Sequence, residues 1–162
     1  MGATVVSNRQ LNKIPPPTLT NPTTITETVV ARWALPANYL SVGLALLANA
    51  SYLSGGLGTV TWRLRIGAAG TTADTLVTQL TTSAAQVANA RGSVFFNIYT
   101  PTSTTVNASG HAIMQNAILG HVTGAVVNAI VVPTAPIFIS ITATVSIAAA
   151  NVITGGGING ND

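Results

Sequence analysis

Val60-Thr61-Trp62-Arg63-Leu64-Arg65-Ile66 and Ile137-Phe138-Ile139-Ser140-Ile141-Thr142-Ala143-Thr144-Val145 decide the fold. Both stretches alternate with period two, the spacing at which strand side chains point to opposite faces of a sheet. In the first, Val60, Trp62, Leu64 and Ile66 face a core while Thr61, Arg63 and Arg65 face outward. In the second, the odd positions from Ile137 to Ile147 form the core side. Phe138, Ser140, Thr142, Thr144 and Ser146 read as a polar but uncharged surface.

The neighbouring segments follow the same rhythm. Thr28 to Trp33 reads as a strand closed by the turn Leu35-Pro36-Ala37-Asn38. Tyr39 to Leu53 reads as a strand kinked or bulged at Gly43, with a short helix as the alternative. Ser54-Gly55-Gly56 and Gly67 to Gly70 are turns, Asp74 to Leu80 a shorter strand, and Ser83 to Ala90 a loop or one helical turn. Ser93 to Thr100 is a further strand. His111 to Leu119 and Ala125 to Val132 form two more, separated by a Gly120 to Gly124 turn. About eight or nine strands with almost no helix predict an all-β chain, a jelly-roll-like two-sheet β-sandwich with an extended N-terminal arm.

Three units follow from composition. Residues 1–25 form the Pro-rich arm, marked by Pro15-Pro16-Pro17 and Pro22. Residues 26–150 form the sandwich, and residues 151–162 a flexible Gly/Asn-rich tail. The arm cannot pack a core alone, yet Leu11, Ile14 and Leu19 are suited to docking on a partner.

Charge is the chain's scarcest commodity. Only 6% of its 162 residues are charged, against about a quarter in an ordinary soluble domain. From Gly92 to Asn161 there is no Asp, Glu, Lys or Arg, and His111 and His121 are the only titratable side chains apart from Tyr99. A surface so poor in charge predicts coverage by protein, and thus a homo-oligomer or larger assembly. The scattered Arg residues and single Lys13 do not make a nucleic-acid face. The apolar window Val122 to Ile141 contains Pro133 and Pro136 and continues into strand alternation, so no membrane helix is expected. The first twenty residues lack the apolar core of a signal peptide. Cysteine is absent, which removes disulfides and thiolate ligands.

The search for chemistry returns little. Glu27 and Asp74 are the only carboxylates that could form a glycosidase pair, and nothing local joins them. His111 and His121 read as ordinary strand or turn residues, although ligands from several subunits could gather a His ring on an oligomer axis. No Gly-x-Ser-x-Gly elbow or phosphate loop is present. The expectation is a non-enzyme without cofactor or metal. Trp62 belongs with the core, and Tyr39, Tyr52 and Tyr99 are the only candidates for a sugar-stacking platform. Arg63 and Arg65 share one strand face. There they are either solvated or available to carboxylates of a partner.

Ala31-Arg32-Trp33-Ala34-Leu35-Pro36-Ala37-Asn38-Tyr39-Leu40-Ser41-Val42-Gly43, together with Thr59 to Asp74, resembles small β-sandwich virion proteins of tailed bacteriophages. The shared rhythm is a strand, Leu-Pro-Ala-Asn, a long strand, then a strand with alternate Arg or Thr that leads into a Gly/Thr turn. It covers roughly residues 28–80. Such proteins include capsid decoration (cement) proteins and the base domains of head or tail fibres. The resemblance implies a jelly-roll trimer on the capsid exterior that contacts the major capsid protein at local three-fold positions. Its arm would reach across capsomer joints. It carries over no catalytic residues. It also implies synthesis in the host cytoplasm. The alternatives are a receptor- or carbohydrate-binding fibre module and a jelly-roll shell subunit.

Overall fold

The computed structural model describes residues 18–19, 25–40, 42–55, 58–82, 88–102, 105–114, 117–127, 135–146 and 152–161. Period-two burial governs the chain, and among these residues it forms ten strands. They are β1 (Thr18–Leu19), β2 (Thr28–Leu35), β3 (Ala45–Leu53), β4 (Val60–Gly67), β5 (Thr75–Thr81), β6 (Arg91–Tyr99), β7 (Val106–Met114), β8 (Ala117–Val127), β9 (Ile137–Val145) and β10 (Val152–Asn161). A first sheet has the order β1-β2-β9-β4-β5, a second the order β10-β3-β6-β7-β8, and every pairing is antiparallel. The chain is an all-β, two-sheet sandwich. Its repeated crossing from sheet to sheet is jelly-roll-like, while the β6-β7-β8 meander keeps three successive strands in one sheet.

The inner faces supply the core. Trp33 and Leu35 on β2, Trp62 and Leu64 on β4, and Ile139 and Ile141 on β9 meet Tyr52, Phe96 and Ile98 from the second sheet, all essentially inaccessible to solvent. Burying an aliphatic side chain of this kind contributes about 1.5–3 kcal/mol. The Tyr52 and Trp62 rings lie 4.8 Å apart with planes tilted by 41°. Gly92 is the direct ladder partner of Tyr52, and a Cβ there would enter the Tyr52 ring. The glycine makes room for the aromatic pair.

Four expectations are corrected. Gly43 does not kink a strand: it sits at φ +84° in the turn before β3, and its N–H donates to the Thr100 carbonyl at 2.7 Å. β3 therefore starts at Ala45. Gly120 and Gly124 do not form a turn but lie within β8, and the strand before it runs from Val106 to Met114. Backbone pairing needs no side chain, so a β-ladder accepts glycines that composition alone reads as punctuation. The same reason overturns the flexible tail expected at residues 151–162. Val152–Asn161 pairs along the length of β3, extending the sandwich beyond residue 150. Finally, Ser140 and Thr142 are fully buried rather than part of an open polar surface. The arm at residues 1–17 and 20–24, most of the 83–90 segment and Ile147 lie outside the described residues.

Candidate functional site

The two outer faces of the sandwich are the candidate sites, and they differ in chemistry. The first sheet's outer face gathers Arg32 from β2, Arg63 and Arg65 from β4, and Glu27 just before β2. A register shift between Val29 and Ala31 marks a bulge in β2. Bulges re-aim side chains. Here Val29 is the ladder partner of Thr142 and Arg32 that of Ser140, so both flanks of the bulge present residues to this face.

Glu27 is the hub. Arg65 grips it with a two-pronged fork, Nε to Oε1 at 2.6 Å and Nη2 to Oε2 at 2.9 Å. The buried Thr142 hydroxyl donates to Oε1. Arg63 Nη1 lies 4.0 Å from Oε2, donates to the Thr144 hydroxyl at 2.7 Å, and its Nε donates to Gln79 at 3.1 Å. Burial pushes the Glu27 carboxyl up. The hydrogen bonds from Arg65 and Thr142 and the charges of Arg65 and Arg63 outweigh it, holding the group below its ordinary value of 4.5.

Asp74 is spent on its own loop. Its carboxylate accepts backbone N–H groups of Ala69 at 3.1 Å, Gly70 at 2.6 Å and Thr71 at 3.1 Å, and its carbonyl accepts Arg65 at 2.7 Å. The two carboxylates thus hold different structural posts. Arg32 completes the face, with its guanidinium 5.3 Å from the centroid of the Phe138 ring.

The second sheet's outer face follows from its registers. Ala45, Leu47, Asn49, Ser51 and Leu53 of β3 stand opposite Tyr99, Asn97, Phe95, Ser93 and Arg91 of β6. Asn107, Ser109, His111 and Ile113 of β7 continue the same face. Among its described side chains Arg91, at one end, is the only permanently charged residue. Phe95 stacks on His111 with ring centroids 5.0 Å apart and planes 22° from parallel. His111 is in turn the direct ladder partner of His121 on β8. A shallow depression at one end is lined by Ala45, Asn97, Tyr99, Asn107 and Ser109.

The residues singled out from sequence fare unequally. Arg63 and Arg65 occupy the face expected of them, and Arg65 spends its fork within the chain. Leu19 lies in β1 opposite Ala31, whereas Leu11 and Ile14 lie outside the described residues. Tyr52 is in the core and cannot stack on a sugar, Tyr39 is half-buried against the core, and Tyr99 is 46% exposed. Sequence reasoning missed the Glu27 hub and the Phe95–His111 stack. Only the sheet registers bring those groups together. No protein-family model, curated protein or solved structure matches this chain.

Proposed function

We propose that this chain is a virion structural protein that decorates and stabilises a phage capsid as a trimer bridging capsid subunits. The observation that carries the reading is the second sheet's outer face, an extended surface of Asn, Ser, Leu and aromatic side chains on which, among the described side chains, charge lies only at the Arg91 end. Depletion of charge at the centre of a patch and enrichment of aromatic residues are the marks of a protein-covered surface. A standard interface buries about 800 Å² on each partner, with apolar burial contributing about 25 cal/mol per Å² before association costs. The major capsid protein is the proposed partner and the capsid exterior the proposed location. Multivalent seating would add avidity without new contacts. Arm residues Leu11 and Ile14, which precede the edge strand that holds Leu19, would add contacts when docked.

Light scattering coupled to size exclusion tests the oligomer: a stable trimer is expected, and a well-behaved monomer overturns it. Deleting residues 1–17, which leaves β1 in place, is expected to leave the fold intact and weaken binding to capsids that lack the protein. A truncated chain that coats them as tightly as the full chain refutes the arm's role. The exposed Tyr99 beside the shallow depression favours one alternative, a carbohydrate-binding fibre module. Glycan binding abolished by Tyr99→Ala would move that reading ahead.

A further inference from the structure

Arg91 differs from the arginines of the first sheet in what it holds. Arg32, Arg63 and Arg65 each reach an oxygen of the chain. The Arg91 side chain makes no hydrogen bond or ion pair among the described residues. The chain's own acids lie elsewhere. Glu27 and Asp74 are engaged on the first sheet. Asp162 follows Asn161, which pairs with Ala45, whereas Arg91 pairs with Leu53. Ala45 and Leu53 are the two ends of β3, about 26 Å apart at the rise of a strand. A carboxylate for Arg91 therefore has to come from outside this fold.

Arg91, Ser51, Ser93 and Thr154 are among the residues that line a cavity of about 360 Å³, a size that suits a small ligand. Thr154 is the extra residue of a bulge in β10, between Ile153 opposite Tyr52 and Gly155 opposite Ser51. Bulges re-aim side chains and recur beside sites of chemistry. Ser51 and Ser93 are ladder partners with hydroxyls 3.2 Å apart. One donates to the other, so the second keeps its proton for a ligand. Gly155 continues this row, and a Cβ there would meet nothing within 4 Å, so space stands open beside the hydroxyl pair. A guanidinium fork matches a carboxylate with two parallel N–H···O bonds. The three hydroxyls match hydroxyl groups on the same ligand, whereas an apolar acid would desolvate them without partners. We propose that this pocket binds a small hydroxylated carboxylate of the sugar-acid class, with its carboxylate on Arg91 and its hydroxyls on Ser51, Ser93 and Thr154. The proposal rests on the pocket and stands apart from the assembly reading. It is also separate from the depression at Tyr99, which lies at the other end of β6.

The test is titration of the isotope-labelled full chain with glucuronate, followed through backbone amide chemical shifts, with glucose as the neutral counterpart. Saturable shifts are expected at Ser51, Gly92, Ser93 and Thr154. Glucose should bind at least about tenfold more weakly, because it lacks the charge-assisted pair. Arg91→Gln should weaken glucuronate binding by at least about tenfold, and Thr154→Val by roughly threefold, the loss of one neutral hydrogen bond. Unchanged circular dichroism in both variants would show that the sheets are retained. The comparison of glucuronate with glucose uses the parent chain, so it decides the matter even where a variant misfolds. No saturable shift with glucuronate, equal binding of glucose, or undiminished binding by folded Arg91→Gln would overturn the proposal. Shifts centred on Tyr99 would overturn it as well, by placing the ligand at the other end of β6. A trimer that binds no glucuronate would leave the assembly reading standing, and a monomer that binds it would leave this proposal standing.

Discussion

On the outer face of the first sheet, charged groups find their partners inside the chain. Arg65 closes on Glu27, Arg63 reaches Gln79 and Thr144, and Arg32 covers Phe138. On the outer face of the second sheet there is almost no charge to satisfy, and Tyr99 and Asn97 stand exposed in the middle strand. The difference teaches that conspicuous residues need not mark the site of action. The arginines, the most obvious candidates for partner recognition, are largely committed to holding their own sheet. The quiet face, made of Asn, Ser and aromatic groups, is the one that presents an apolar and hydrogen-bonding surface.

The strongest way to break this comparison is to place a charge on the quiet face. Asn97→Glu lies mid-strand and exposed, so folding stability should change by no more than about 0.5 kcal/mol. Association through that face should weaken by about 3 kcal/mol, roughly a hundredfold, because an unpaired charge would be buried. Unchanged native mass and unchanged capsid binding would show that the face stays open.

A smaller effect is expected on the charged face. Glu27→Ala leaves Arg65 without its carboxylate and the buried Thr142 hydroxyl without its acceptor. We expect a loss of about 2 kcal/mol in folding stability, discounted for the partial exposure of the pair, or about 4–8 °C in Tm. The pH dependence sharpens the assignment. The folded-state pKa of Glu27 is depressed, so its contribution is complete above the ordinary value of 4.5 and is lost as the pH falls through the folded value. The stability gap between the parent chain and Glu27→Gln should therefore narrow on acidification below that value in denaturant titrations. A gap that stayed constant or widened would mean that the carboxylate's charge is not what stabilises the face. The smallest effect belongs to Arg32→Ala, which removes the guanidinium from Phe138 and should cost about 0.5–1 kcal/mol by thermal melting.

Much of the fold was legible because alternation is a direct image of a half-buried strand. Val60 to Ile66 and Ile137 to Val145 sit in β4 and β9 as read, adjacent to one another in the first sheet. Illegible were the features that reside in backbone pairing. The glycines of β8 and β10 resemble turns and tails in composition, yet their strands take stability from the neighbouring ladder. Ser140 and Thr142 looked solvent-facing by parity. They are indeed on the outer side, yet both are fully buried, Thr142 with its hydroxyl on Glu27 and Ser140 between its ladder partners Arg32 and Arg65. Of the candidate sites, Arg63 and Arg65 were visible as alternate residues of one strand. Their carboxylate partner was not, because Glu27 reaches Arg65 only through the β2-β9-β4 order of the sheet.

The bulge in β2 decides what each side of the sheet contains. Glu27 and Arg32 are an odd number of positions apart, so an uninterrupted strand would send them to opposite sides of the sheet. The extra residue returns both to the outer face. Straightening the strand at constant length would aim the carboxylate at the tryptophans. Deleting one residue between Thr28 and Ala31 would instead leave an even spacing, which a regular strand keeps on one face. The extra residue works as a phase marker: its flattening, rather than its loss, is what would exchange surface for core.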